Sequence, residues 1–443
     1  MALTNYNFGG DGVNLVKDKL QLGPAEATQL QNAELVFDEA RGGIGALSKR
    51  GGLAALTSAL AGTIYGMLGL SLKTTYTRTL YAALGSAGAN TWRKSTDGTT
   101  WTNTSSPLAH GVNSKFTDAN GERDARRATA FRNVILYQGN SYTKGTDKPP
   151  LVLWDGTNAL TVTSIPIGPS ATTNTPAYAI VDMLVANGKV YFAVHDPGGS
   201  GANLAGRVMS LDLETGTIAQ VANAFGSGTG EVTGGYPCCL CWYQNQLFVG
   251  LQTNTTTDAI GKVVRCYPDI DTTWTSDVSN LSGLPCSMAV YAGDLYVGVQ
   301  SSSASNCKVY KRSATTETYA ASFTSAAGTA GSAFCGSLIV FNDELYAVEY
   351  FSGATDVVHV KKFDGSSWTT DRDVDANDPI DATTPQMPGG AVVLSSKLYI
   401  VFRVATDGGT NGFILQRNTS GTWARVDSSA NLSGPLVVLV ERS

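Results

Sequence analysis

"AGDLYVGV", Ala292–Val299, is the stretch whose reading decides the fold. A small polar turn leads into an apolar anchor, Leu295, then an aromatic, then alternating small and β-branched residues. That composition is a strand leaving a tight turn. The same shape returns as "TRTLYAALG" (Leu80), "RNVILYQG" (Val134), "NGKVYFAV" (Val190), "QNQLFVGL" (Leu247), "NDELYAVE" (Leu345) and "SSKLYIVF" (Leu398). Successive anchors lie 48 to 57 residues apart, so the chain repeats one unit of about fifty residues.

Working outward, most anchors follow a second apolar run and a turn, as in "AYAIVDMLVANG", "CSMAVYAGD" and "FCGSLIVFND". Asn187-Gly188, Gly293-Asp294 and Asn342-Asp343 predict two-residue hairpins, because these residues tolerate positive φ. A third strand follows each anchor, as in "NTWRKS", "CKVYKRS" or "VHVKKFDG". A short fourth one starts near Trp101, Leu160, Ile218, Trp274, Tyr319, Trp368 or Trp423. Four antiparallel strands per unit predict an all-β fold, a β-propeller of seven blades, with six or eight left open. Ring closure removes the exposed edges of an open array. Blades are expected at about 60–105, 124–165, 177–222, 236–281, 285–324, 333–373 and 388–434, and "PLVVLVERS", 435–443, as a ring-closing strand. The propeller then spans 53–443, preceded by a non-repeating arm, 1–52. In the arm, "PAEATQLQNAELVFDEA" predicts a short helix and "RGGIGALSKRGG" a loop.

Composition agrees. Charged residues are 15% of the 443, against about 25% in a typical soluble protein, and Gly, Ser and Thr make up the difference. Such a chain favours strands and turns over helices. A net charge of −5 argues against a broad nucleic-acid-coating surface, though not against a channel that lets DNA slide. The densest basic group, Arg123, Arg126, Arg127 and Arg132, reads as a solvated loop and strand edge, or as a phosphate contact. "MALTNYNFGGDGVNL" lacks the basic and apolar regions of a signal peptide. Seven cysteines then predict free thiols made in a reducing cytoplasm. Gly51–Leu72 is uncharged and long enough to span a bilayer, but its Gly, Ser and Thr favour a loop and a buried strand, with no stable membrane insertion.

Sites of chemistry are sparse. "KSTDGTTWTNT", Lys94–Thr104, and "KKFDGSSWTTD", Lys361–Asp371, place Asp97, Gly98 and Trp101, and Asp364, Gly365 and Trp368, in matching turns. With Ser95 and Thr100, the first resembles the Asp-box of sialidases and related propellers, one residue short. The resemblance implies a structural turn between third and fourth strands, its Asp capping backbone N–H groups and its Trp packing between blades. "CCLC", Cys238–Cys241, has no second CxxC to complete a zinc site. "DVDANDP" has Asp373, Asp375 and Asn377 at calcium-loop spacing, but Asp378 and Thr384 break the pattern. His110, His195 and His359 lie on separate repeats. No catalytic residue, cofactor or metal is expected, and the chain is read as a non-enzyme.

The arm carries the functional hint. Leu20–Leu53 holds Pro24, Ala27, Asn32, Gly45, Leu47, Lys49, Arg50 and Gly52. In this it resembles the opening of virion proteins of tailed bacteriophages, where "Pro-x-x-Ala…Asn" precedes "Gly-x-Leu-x-Lys-Arg-Pro-Gly"; the family proline is Gly51 here. The family includes tail nozzle and packaged-DNA-stabilising (tail hub) proteins. The resemblance implies a homo-oligomeric ring of six or twelve copies in the virion tail, assembled in the host cytoplasm, below portal and adaptor. DNA would pass at ejection without sequence-specific binding. Leu20, Leu22, Pro24, Asn32, Lys49 and Arg50 would dock on a neighbour or another tail protein. Two other classes stay open: a carbohydrate- or receptor-binding propeller with aromatic platforms, and a glycoside-cleaving propeller with paired carboxylates.

Overall fold

The computed structural model describes residues 33–37, 45–49, 79–84, 91–96, 100–103, 117–118, 121–122, 128–131, 134–138, 151–154, 159–162, 179–195, 206–212, 215–223, 225, 236–252, 260–301, 306–325, 333–351, 357–374, 386–394, 396–404, 412–426 and 436–442. The chain divides into two units, Met1–Tyr76 and Thr77–Ser443.

In the first unit Ala33–Phe37 pairs antiparallel with Gly45–Lys49, from Ala33↔Lys49 to Phe37↔Gly45. This corrects two expectations, since 33–37 lies inside the predicted helix and 45–49 inside the predicted loop. Leu35, Val36 and Phe37 favour the extended chain, and strand pairing outweighs the weak helix propensity around them.

The second unit is an all-β propeller, and none of its described elements is a helix. Five separate four-stranded sheets run over 128–162, 179–220, 236–282 and 386–425, and over 79–103 with the chain's last strand. The sixth sheet has eight strands. It contains a 284–324 half and a 333–373 half, joined by the pairs Gln300↔Phe334 and Ser301↔Ala333. The first strand is hydrogen-bonded to the second, the second to the third and the third to the fourth in the sheets of 179–220, 236–282 and 386–425. Leu436–Arg442 takes the innermost place of the 79–103 sheet, pairing with Thr79–Leu84.

Register explains the sequence pattern. Leu295 pairs with Val290 on one side and Arg312 on the other, and Leu345 with Val340 and Phe363. Leu345 packs in a cluster with Tyr296 and Val309 of the neighbouring half, whereas Tyr346 packs with Leu398, Ile400 and Phe402 of the following sheet. Alternate side chains therefore enter opposite seams, and both faces are buried. A strand buried on both faces must be apolar throughout, and each large side chain contributes about 1.5–3 kcal/mol.

The hairpins are tight. Asn187 and Gly188 have φ of 49° and 73°, and Asn342 and Asp343 have 51° and 60°. At the third predicted hairpin the turn is one residue earlier than expected, at Ala292-Gly293, because Tyr291 pairs with Asp294. First strands are bulged at a common place. Val181, Cys238, Cys286 and Gly389 fall out of register, and Ser337 with Leu338 does so in the 333–373 half. Beside two of these bulges a polar side chain reaches the next first strand: Asp182 Oδ2 accepts from Leu240 N at 2.7 Å, and Ser287 Oγ from Leu338 N at 2.9 Å.

Candidate functional site

The described polar chemistry concentrates in the seams between sheets, towards the fourth strands. Three fourth strands carry a bulge, at Asp277, Ser322 and Asp371. A bulge leaves its residue outside the ladder and re-aims the side chain. Each of these three meets the aromatic that opens the next fourth strand. Tyr319 Oη donates to Asp277 Oδ2 at 2.7 Å, Trp368 Nε1 to Ser322 Oγ at 3.0 Å, and Trp423 Nε1 to Asp371 Oδ2 at 2.7 Å. Trp274 Nε1 similarly donates to the Asn223 carbonyl at 2.9 Å and packs on Phe225. Trp101 shares a cluster with Tyr399, Val401 and Ile414 of the 386–425 sheet and with Val426 just after it. An aromatic thus clasps an adjacent sheet in four seams and the other half of the eight-stranded sheet in a fifth.

Two clasps hold buried arginines. Arg312, 0% exposed, donates from Nε and Nη2 to both oxygens of Asp277, 2% exposed, at 2.7 and 3.0 Å. Arg265 Nε lies 3.1 Å from the same carboxylate and reaches Glu317 at 2.9 Å. The Arg312 guanidinium sits over the rings of Tyr243 and Phe248, and its Nη1 makes no hydrogen bond. Burial opposes the charge, but Asp277 outweighs it and holds the Arg312 pKa above its ordinary value. Burial first, then the Asp277 carboxylate, pushes the Tyr319 phenol far up, so it stays a donor.

Arg417 repeats the arrangement. It donates to Asp371 at 2.6 and 3.3 Å, with its guanidinium 5.1 Å from the Tyr346 ring centre. Lys362 Nζ bridges Glu344 at 3.1 Å and Asp371 at 3.6 Å. A third cluster is smaller: Glu349, 3% exposed, faces Lys361 Nζ at 3.0 Å and His359 Nδ1 at 3.1 Å.

These carboxylates are held by cations or aromatic donors, and Asp277 and Asp371 join neighbouring sheets. Glycoside cleavage needs one carboxyl kept protonated as an acid beside one free to act as nucleophile or base. Asp277 and Asp371 are instead each bound by an arginine and an aromatic donor from the next repeat.

The Asp364 turn is local. Asp364 Oδ1 accepts from Ser366 N at 2.7 Å and Ser367 N at 2.8 Å, and Gly365 sits at φ +98°. The Ser366 hydroxyl and then these backbone N–H groups hold the Asp364 carboxyl far below its ordinary value. Trp368 stacks on Phe363 and reaches Phe323 of the other half of the sheet. In the first copy of the motif Trp101 is buried; Asp97 and Gly98 lie outside the described residues. So do Leu20, Leu22, Pro24, Asn32, Arg50, His110, Gly51–Leu72 and the arginines 123, 126, 127 and 132, while Lys49 ends the arm's second strand. No helix among the described residues is long and apolar enough to cross a membrane.

All seven cysteines are buried thiols, and no group of metal-binding side chains occurs among the described residues. Burial pushes the Cys266 thiol up to about 12. Sequence reasoning missed the Asp277 and Asp371 clasps. Their signal was a carboxylate in the fourth strand of one repeat and an arginine closing the third strand of the next.

No known family matches this chain, and no curated protein matches its sequence. Solved structures match its fold. A putative 6-phosphogluconolactonase from Bacteroides uniformis aligns over 82% of this chain and 99% of its own, with a TM-score of 0.52 and 13% identity. One from Bacteroides fragilis aligns over 83% and 98%, with a TM-score of 0.50 and 13% identity. A prolyl endopeptidase aligns over 68% of this chain at a TM-score of 0.40 and 12% identity, and the chain spans half of that protein's length. At these identities the likeness establishes the fold alone.

Proposed function

We propose that this protein is a structural, non-catalytic component of a tailed-bacteriophage virion, a nozzle or hub ring protein that continues the DNA channel below portal and adaptor. The observation that carries the reading is the resemblance of Leu20–Leu53, with its Pro24, Asn32, Lys49 and Arg50, to the opening of that family. Support comes from the division of the chain, which leaves this motif wholly within a unit of its own, Met1–Tyr76. The proposal keeps seven blades, reading the eight-stranded sheet as two. Six or twelve copies form the ring through docking by the arm, assembled in the host cytoplasm, and DNA passes without sequence-specific contacts.

The seams bear on the alternatives. Trp101, Trp154 and Trp274 are buried, and Trp368 and Trp423 are committed to clasps, so these rings are spent on packing rather than on sugar platforms.

Electron microscopy of the purified full chain, alone and with portal and adaptor proteins, tests the proposal. A ring of six or twelve copies is expected. A persistent monomer in the presence of both partners overturns it.

A further inference from the structure

Cys307 and Cys335 come from opposite halves of the eight-stranded sheet. Cys307 immediately precedes the third strand Lys308–Arg312, and Cys335 lies in the first strand Ala333–Phe341. Both are 0% exposed, and their sulfurs are 2.8 Å apart. Heavy atoms without a bond rest farther apart, at about 3.5–4.0 Å for carbons. A disulfide bond is shorter, at about 2.05 Å. The two thiols are therefore pressed together inside ordinary non-bonded separation and short of bonding distance.

Their surroundings fix this approach. Cys307 N donates to Ser325 Oγ at 3.0 Å. Cys286 Sγ, a third thiol, donates to the Cys335 carbonyl at 3.0 Å and the Gly298 carbonyl at 3.2 Å. Gly298 has no Cβ, and one placed there would stand 2.2 Å from the Cys335 carbonyl oxygen. The strands are thus as close as a glycine permits, and Cys286 Sγ is engaged with two backbone oxygens.

We propose that Cys307 and Cys335 are an oxidation site, closing to a disulfide that covalently staples the two halves of the eight-stranded sheet when the protein meets a small peroxide. The reaction balances with hydrogen peroxide as oxidant. One thiol, as thiolate, attacks a peroxide oxygen; the O–O bond breaks, leaving a sulfenic acid and one water. The second sulfur attacks the sulfenic sulfur, the S–O bond breaks, and a second water leaves with the proton of the second thiol. Two sulfurs are oxidised and one peroxide is reduced. Peroxide suits the site because it is close to water in size, whereas a bulky disulfide reagent would have to open the seam first. The inference does not depend on the proposed function.

The test uses the purified full chain, treated with hydrogen peroxide, cleared of peroxide with catalase, then denatured. Thiol titration should fall from seven to five, and non-reducing peptide mapping should give one linked pair holding Cys307 and Cys335. The bridge closes a loop across 28 positions, so the melting temperature should rise by roughly 4 °C and return on reduction. Cys307→Ser should lose both the link and the rise. If that variant fails to fold, wild-type mapping alone decides. Seven unmodified thiols after treatment, sulfinic acid at either residue, or a bridge to Cys286 would overturn the proposal.

Discussion

Asp277→Asn is the sharpest probe of the seams. The substitution keeps shape and one acceptor oxygen but removes the charge that Arg312, Arg265 and Tyr319 share. It leaves a fully buried guanidinium with only Glu317, at 3.4 Å, as a charged partner. Removing one partner of a buried pair costs about 3–5 kcal/mol, since the remaining ion stays desolvated. Unfolding entropy of about 2.1 cal/mol/K per residue gives roughly 0.8 kcal/mol/K over residues 77–443. The melting temperature should therefore fall by about 4–6 °C in calorimetry at neutral pH. Arg312→Met should cost less, because Asp277 keeps Arg265 at 3.1 Å and the Tyr319 hydroxyl. Asp277→Leu with Arg312→Met should recover most of the loss, as apolar replacement of a buried pair often does. A fall below about 1 °C for Asp277→Asn, or a larger fall for Arg312→Met, would refute the reasoning.

Gly298→Ala should destabilise by about 1–3 kcal/mol, read from denaturant midpoints, because its methyl meets backbone rather than a movable side chain. Trp368→Phe keeps a ring against Phe323 and Phe363 but loses the bond to Ser322, so it should cost about 1 kcal/mol in the same assay. Asp364 has a depressed pKa in the folded state, so its stabilisation is present above the unfolded value of about 3.9 and lost as pH falls through the folded one. Melting curves of wild type and Asp364→Ala should differ fully above about pH 4 and converge below it; a gap that widens on acidification would contradict the turn geometry. With its thiol pushed up to about 12 and buried, Cys266 should resist iodoacetamide at pH 8 in the native protein, as mass spectrometry would show.

The repeat was legible because second strands are buried on both faces: Leu295, Tyr296, Val297 and Val299 have nowhere to expose a polar group. Turn chemistry was nearly legible; Ala292 took the positive φ that an Asp-centred reading assigned one residue later. The bulges were not. Cys238 and Cys286 interrupt the two-residue period inside runs that look uniformly apolar, so nothing in the sequence marks which residue leaves the ladder. The clasps escaped for a related reason. Asp371 looks like one of several solvated acids in "TTDRDVD" until its bulge turns it towards Arg417, 46 residues on. In the arm, local propensity read Glu34 and Leu35 as helix formers, whereas pairing with Ser48 and Leu47 made them a strand.

The clasps also have a direction in time. Trp274, Tyr319, Trp368 and Trp423 all reach back to the preceding repeat, at Asn223, Asp277, Ser322 and Asp371. During synthesis each new sheet finds its receptor already made, and this part of the propeller can fasten itself sheet by sheet as it leaves the ribosome. Trp101 alone among them reaches forward, to Ile414 and Val426. At about 5–20 residues per second it waits roughly 15–65 seconds for that partner. Thr79–Leu84 waits slightly longer for Leu436–Arg442. For that interval the growing chain presents an unpaired edge and an uncovered tryptophan, and crowding on one messenger offers it the final strand of a neighbouring copy instead of its own.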